Sequence, residues 1–339
     1  MMVLHAPGDI RLEERPLPHV RAREVLVALR AVGVCGSDVH YYEHGRIGSF
    51  VIQKPLVLGH EPAGVIVDVG SEVSRRRIGA RVAIEPGVPD GECEHCRAGH
   101  YNLCPNMVFF GTPPIDGAFA EYVTTHERFA HDLPANMTLE EGALIEPLSV
   151  ALWACRRAHL HGGEHVLVTG AGPIGILAMK VAFALGAGEV TVSDVAPERL
   201  AFAGKHSATR VMNVAEQSLA DAGIRAHVLL ECSGAQRALA DGIRTIEPRG
   251  KVVVVGMSPD DEQRIPLAYM QQREITLTGT FRYAHTYGDA ITMVSSGRVE
   301  VQSLITNRFS LEQTEMALRA AQRDPANLKS MIVLGEVKE

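Results

Sequence analysis

The sequence predicts an α/β protein with a doubly wound parallel sheet and a second, β-rich domain, and three observations carry that reading. The chain has 339 residues, enough for about two domains at roughly 150 residues each. Residues 150–280 alternate short apolar strands with helical patterns, which argues a parallel sheet with right-handed crossovers. Residues 1–150 carry β-branched runs bounded by Gly and Pro, which predict a β-rich domain.

The elements follow in chain order. EVLVALRAV (24–32), GVIVDVG (64–70), ARVAIEP (80–86) and AFAEYVTT (118–125) predict strands of the first domain. An apolar, helix-like segment near 148–156 leads into the second. There HVLVTG (165–170), EVTVSD (189–194), AHVLLECSG (226–234), KVVVVGM (251–257) and EITLTGTF (274–281) predict five strands. They are nearly all apolar, as strands covered on both faces must be. Residues 285–339 are mixed, with one helix predicted over LEQTEMALRAAQ (311–322). There is no internal repeat, low-complexity tract or long linker.

Composition excludes several classes. The formal charge of −7 argues against a nucleic-acid binder, which is more often basic. Six cysteines are too few for a disulfide scaffold, yet three fall within residues 93–104 and need a local reason. The N-terminal stretch has no apolar run or small-residue cleavage pattern of a signal peptide. Lys180 and Glu146 interrupt the most apolar segments, so none reaches the ~18–20 residues of a membrane span. A soluble, cytoplasmic chain is the expectation.

The strand HVLVT runs into Gly170-Ala171-Gly172-Pro173-Ile174-Gly175 and then a helical pattern, the context a dinucleotide fingerprint requires. Gly170 permits the tight turn, Gly172 lets backbone approach a pyrophosphate, and Gly175 allows close helix–strand packing. The helix N-terminus offers N–H groups and partial positive charge to phosphates. Asp194 stands at the end of the next strand, where a carboxylate accepts from ribose hydroxyls and repels a 2′-phosphate. Arg199, the nearest cation, is five residues further on, so NAD is favoured over NADP. Capping the following helix is the structural alternative for Asp194.

Cys35 follows a β-rich stretch in CGSDVH, His60 and Glu61 follow the apolar run KPLVL, and Glu146 interrupts GALIEPLSV. A carboxylate in an apolar segment is costly unless paired, bonded or bound to metal. A thiolate, an imidazole and one or two carboxylates would make an open zinc site. Such a zinc would polarise a hydroxyl and lower its pKa, preparing an alcohol as a hydride donor. Spacing leaves the convergence of these distant residues open, and Cys35 alone also suits a small buried hydrophobe.

The strings VCGSDVHYYEHGRIG (34–48), PLVLGHEPAGVIVDVG (55–70), ALIEPLSV (143–150), VTGAGPIG (168–175) and TGTFRY (278–283) resemble the zinc-dependent medium-chain alcohol dehydrogenases, and more closely their polyol branch of sorbitol and xylitol dehydrogenases. The resemblance covers nearly the whole chain in the family's motif order. It implies a GroES-like catalytic domain over 1–148 and 281–339, with a Rossmann NAD-binding domain over 149–280 inserted. It implies a catalytic zinc on Cys35, His60 and Glu61, with Glu146 binding it directly or through water. Ser37 and His40 match a proton relay through the cofactor ribose, and Tyr41, Arg282 and Tyr283 match residues near the polyol, with packing or a surface cation as their alternative. Family members with a structural zinc show C-x2-C-x2-C-x7-C. Here Cys93, Cys96 and Cys104 fit three positions and Asp90 holds the first, which tetrahedral zinc accepts as an oxygen ligand. His95 is the substitute donor, and a relic loop of three free thiols is the alternative. Cys155 and Cys232 sit in apolar contexts as inert core residues.

The activity implied is NAD-dependent oxidation of a polyol's secondary hydroxyl to a ketose, in a homotetramer or homodimer. An L-threonine or other secondary-alcohol dehydrogenase is the alternative, and a catalytically silent NAD-binding protein the remote one.

Overall fold

The computed structural model describes residues 1–258 and 262–335. Residues 259–261 and 336–339, the latter closing the expected 281–339 segment, lie outside the described residues. The chain divides into two compact units. The first comprises Met1–Glu146, Tyr287–Gly297 and Val301–Glu339, the second Pro147–Thr286 and Arg298–Glu300. The crossings at 146/147 and 286/287 fall near, not at, the expected 148/149 and 280/281. Residues 298–300 join the second unit, where the Lys180 ammonium donates to the Glu300 backbone carbonyl at 2.7 Å and to its carboxylate at 2.8 Å.

In the first unit the β-branched run predicted at 24–32 forms the strand Glu24–Gly33. Val25, Val27, Leu29 and Val32 are fully buried, each contributing about 1.5–3 kcal/mol over an exposed position. This strand is central to a seven-stranded sheet ordered 130–132, 81–84, 61–69, 24–33, 329–333, 305–309, with 122–126 also pairing onto 24–33. Its register sets Gly33 opposite both Glu61 and Met331. The strand predicted at 118–125 begins only at Tyr122. Ala118 and Phe119 instead donate backbone hydrogen bonds to Gly59 and Leu58, bracing the segment that carries His60. The strands 305–309 and 329–333 were not signalled by the mixed C-terminal sequence.

The second unit holds a six-stranded parallel sheet ordered 210–213, 189–194, 165–169, 226–231, 246–254, 276–279. The chain builds outward from 165–169 in one direction and then in the other. The order therefore reverses between 165–169 and 226–231, which opens a crevice at their carboxyl ends. The five predicted strands are all present; 210–213 is additional, an edge strand with two of its four residues exposed. The helix predicted at 311–322 is a 3-10 turn, Leu311–Gln313, continued by Thr314–Arg323.

Candidate active site and metal centres

Two groups of metal-ligating side chains converge among the described residues, each with its donor atoms within 4.8 Å of one another. The first is Cys35, His60 and Glu61, all in the first unit. Three adjacent strands bring it together. Cys35 follows the strand ending at Gly33, Glu61 opens the neighbouring strand, and Lys329 opens the strand on the other side. Gly33 is required by close approach, because a Cβ there would lie 1.9 Å from a Glu61 carboxylate oxygen.

Two residues without a role in the sequence reading organise this group. Asp38, in the first turn of the helix Gly36–His44, accepts from the backbone N–H of Cys35 at 2.9 Å and of Gly59 at 3.0 Å. The same carboxylate lies 3.4 Å from Nδ1 of His60, so one buried anion fixes both ligand loops and faces the imidazole. Such carboxylate–histidine pairs orient metal ligands. Lys329 is buried and donates to both Glu61 oxygens, at 2.7 and 2.8 Å, and to the Val34 carbonyl at 3.1 Å. The sequence signal was a single cation opening the apolar strand KSMIV.

The local charge balance suits a cation. Burial pulls the His60 pKa down, but the negative charges of Asp38 and Cys35 outweigh it and hold the ring well above its ordinary value. Burial likewise opposes the charge of Lys329, yet Glu61, Cys35 and Glu146 raise its pKa. A sulfur, an imidazole and a carboxylate in a negative pocket are a donor set that fits zinc. Glu146 is buried and acts electrostatically on Lys329, but its carboxylate falls outside the converging group.

Ser37 and His40 are both half-buried on the helix Gly36–His44, three residues apart and hence on one face. The His40 ring packs edge-on against His44 at 4.6 Å. Tyr41 is buried in this unit. Arg282 and Tyr283 belong to the second unit, with Tyr283 buried and the Arg282 guanidinium 4.8 Å above the Phe281 ring.

The second group is Asp90, Cys93, Cys96 and Cys104. Asp90 accepts from the backbone N–H of Glu92 and Cys93 at 2.9 and 3.0 Å and from the Asn106 amide at 2.7 Å. These donors hold its carboxyl well below the ordinary range, so the ionised form needed for ligation is favoured. Burial and the Cys93 thiol push the Cys96 pKa up to about 12 in the metal-free chain, a penalty that a bound cation would reverse. Three sulfurs and one oxygen fit tetrahedral zinc. His95 is exposed and outside the group.

In the second unit the helix Pro173–Ala184 starts at Gly172 with no side-chain cap. A Cβ at Gly175 would sit 1.8 Å from the Gly170 carbonyl oxygen, so helix and turn touch there. A Cβ at Gly172 would meet nothing within 4 Å. No protein atom demands that glycine, and the open space above uncapped N–H groups fits a pyrophosphate. Asp194 accepts from the N–H of Ala171 at 2.6 Å and from Val195 and Ala196 at 2.7 and 2.9 Å. The helix cap position after it is Ala196. Asp194 thereby joins the fingerprint turn to the end of its own strand, and Arg199 lies half-buried in the helix Pro197–Lys205.

Comparison with known proteins supplies the family. Residues 21–135 match the alcohol dehydrogenase GroES-like domain and residues 173–296 the zinc-binding dehydrogenase domain. The chain is 44% identical to sorbitol dehydrogenase of Rattus norvegicus over 98% of its own length and 94% of the relative's. The chain belongs to the zinc-dependent medium-chain alcohol dehydrogenase family. Sorbitol dehydrogenase of Bacillus subtilis (strain 168) is 41% identical to this dehydrogenase, over 97% of this chain and 96% of that protein. Among solved structures, L-idonate 5-dehydrogenase of Escherichia coli K-12 aligns with a TM-score of 0.92 at 29% identity, covering 98% of this chain and 97% of that one. The fold of this dehydrogenase is thus a GroES-like unit and a Rossmann-type unit. No described helix is long and apolar enough to cross a membrane.

Proposed function

We propose that this chain is a polyol dehydrogenase that oxidises a secondary hydroxyl to a ketone with NAD as acceptor. The observation that carries the reading is the convergence of Cys35, His60 and Glu61 on one negative pocket, in a chain whose relatives include sorbitol dehydrogenases. The first unit is the catalytic domain and the second the nucleotide-binding domain. Cys35, His60 and Glu61 hold the catalytic zinc, with Glu146 beside it, and Asp90, Cys93, Cys96 and Cys104 hold a structural one. When bound, the catalytic zinc supplies Lewis acidity to the carbinol oxygen and NAD accepts the hydride. Gly170, Gly172, Pro173, Ile174 and Gly175 receive the pyrophosphate. Asp194 receives the adenine ribose, with Arg199 near it.

The chain's own groups handle the proton and the substrate. The carbinol C–H leaves as hydride, and the O–H proton leaves through Ser37 toward His40. Tyr41, Arg282 and Tyr283 bind the remaining hydroxyls, whose binding energy selects the carbon that faces the acceptor. The strand Thr276–Gly279 is an exposed sheet edge, with exposed Leu277 and Phe281. It supports self-association, proposed here as a homotetramer in the cytoplasm.

The test is initial-rate NAD reduction over sorbitol, xylitol, galactitol, ribitol and arabinitol, with L-threonine as a rival substrate. Turnover of at least one polyol above threonine is expected, lost on zinc removal and in Cys35→Ser or His60→Ala while NADH binding persists. Full activity of a metal-free preparation would overturn the mechanism.

A further inference from the structure

The crevice at the point where the parallel sheet reverses has two walls. The fingerprint at 170–175 forms one. The other is the loop Cys232-Ser233-Gly234-Ala235, which leaves the strand Ala226–Glu231, and its shape depends on a buried carboxylate. Glu231 is 1% exposed. Its Oε1 accepts from the backbone N–H of Ser233 at 2.8 Å and of Gly234 at 3.0 Å, and from the Ser233 hydroxyl. Oε2 accepts from Gly234 N–H at 3.2 Å. The Thr169 hydroxyl reaches Oε1 at 3.4 Å from the neighbouring strand, in register with Glu231. The groups that hold this anion are neutral donors, most of them from the loop itself.

The loop in turn presses on the fingerprint. A Cβ at Gly170 would lie 2.9 Å from the Ser233 nitrogen and 3.0 Å from its Cα. Gly170 has a left-handed φ of 89° that favours glycine, and Ser233 occupies the space a Cβ would need. Cys232 donates to the Thr169 carbonyl at 2.8 Å, and Val255 and Gly256 donate to the Glu231 carbonyl, each at 2.8 Å. A Cβ at Gly234 would stand 2.2 Å from the Met257 carbonyl oxygen. Three strand ends therefore meet at Glu231, Thr169 at its carboxylate and Val255 and Gly256 at its backbone carbonyl.

We infer that Glu231 is a positioning residue of the dinucleotide site, setting the loop 232–235 against Gly170 and thereby the width of the crevice. It touches no cofactor itself. An aliphatic side chain of similar size, as in Glu231→Met, would remove the acceptor that faces two backbone N–H groups. Those buried groups would then lack partners, and the loop would shift away from the fingerprint.

This inference rests on the second unit binding NAD, so wild-type NADH binding by fluorescence titration is measured first. Absence of binding there rejects the functional reading itself. With binding established, Glu231→Met is expected to weaken NADH at least tenfold and to raise KM for NAD by a similar factor. kcat should fall less than KM for NAD rises. A purely structural role would lower the Tm and leave the NADH affinity of the folded protein unchanged. A folded variant with wild-type NADH affinity overturns the proposal. Should Glu231→Met fail to fold, Ser233→Ala at the exposed loop position removes one donor to the carboxylate. A severalfold loss of NADH affinity then supports the inference, and unchanged affinity rejects it.

Discussion

At the scale of single residues, the Glu61–Lys329 pair defines the energetics of the proposed catalytic pocket. Neither charge is accessible to water, and each satisfies the other. Removing one partner of a buried pair typically costs about 3–5 kcal/mol, because the other is left uncompensated. Lys329→Met is therefore expected to lower the urea midpoint of the metal-free protein strongly. The zinc-loaded protein should lose less, since a bound cation takes over the neutralisation of Glu61. Equal losses in both forms would contradict that charge balance. Asp90 offers a second test. Asp90→Ala should reduce bound zinc, by elemental analysis, from about two ions per chain to about one, as expected when one tetrahedral site loses a ligand. An unchanged content would show that three thiolates suffice. Cys155 lies at the opposite extreme: burial pushes its pKa up to about 12. Mass spectrometry after iodoacetamide at pH 8 should find it unmodified in the native protein and alkylated once unfolded.

At the scale of elements, two glycines of one turn serve different masters. Gly175 faces the Gly170 carbonyl, where a methyl group has no room. Gly172 has ordinary helix-entry angles, with φ −73, and empty space beyond it. Gly172→Ala should keep the wild-type melting temperature to within a few degrees and lose NADH affinity by at least tenfold, since a Cβ fills the approach path of the pyrophosphate. Gly175→Ala should lose both, because the helix must move off the sheet. If circular dichroism and NADH titration find the two variants alike, the close-packing argument fails. The helix Gly36–His44 shows the same division of labour. Asp38 on its inner face ties together the Cys35 and Gly59 backbones, while Ser37 and His40 remain partly accessible.

At the scale of the molecule, both metal groups lie in the first unit and the nucleotide fingerprint in the second. Chelation and NADH should therefore leave different marks. Hydrogen exchange after zinc removal should rise around 34–38, 59–62 and 90–106. NADH should instead protect 170–176, 194–196 and 231–235. A chelator effect concentrated in the second unit would mean the metals stabilise something other than their own ligand loops. Among the described residues no cation pairs with Glu231, and burial raises its pKa against the opposing pull of Ser233 and Gly234. The loop around it is therefore sensitive to loss of hydrogen-bond partners.

Much of this was legible in the amino-acid order alone. Five near-continuous apolar strands separated by helical patterns dictate a parallel sheet, because only strands covered on both faces can afford that composition. The fingerprint turn and its following helix are local, so short-range chemistry specifies them. The Asp90–Cys104 group lies within fifteen residues, so its donors are near neighbours in sequence. The proposed catalytic pocket is different. Cys35, Glu61 and Lys329 are separated by hundreds of residues at most and dozens at least, and only the register of three strands around Gly33 makes them neighbours. Asp38 and Lys329 carry no motif of their own. Their function follows from which backbone amides and which carboxylate the packed sheet sets beside them. Glu231 is the same case in the second unit: a strand-end glutamate in sequence, and the anchor of a crevice wall once the strand order reverses. Local sequence determined which side chains could do the chemistry. Long-range strand pairing decided which ones meet, because burial makes each buried charge seek a partner that lies far along the chain.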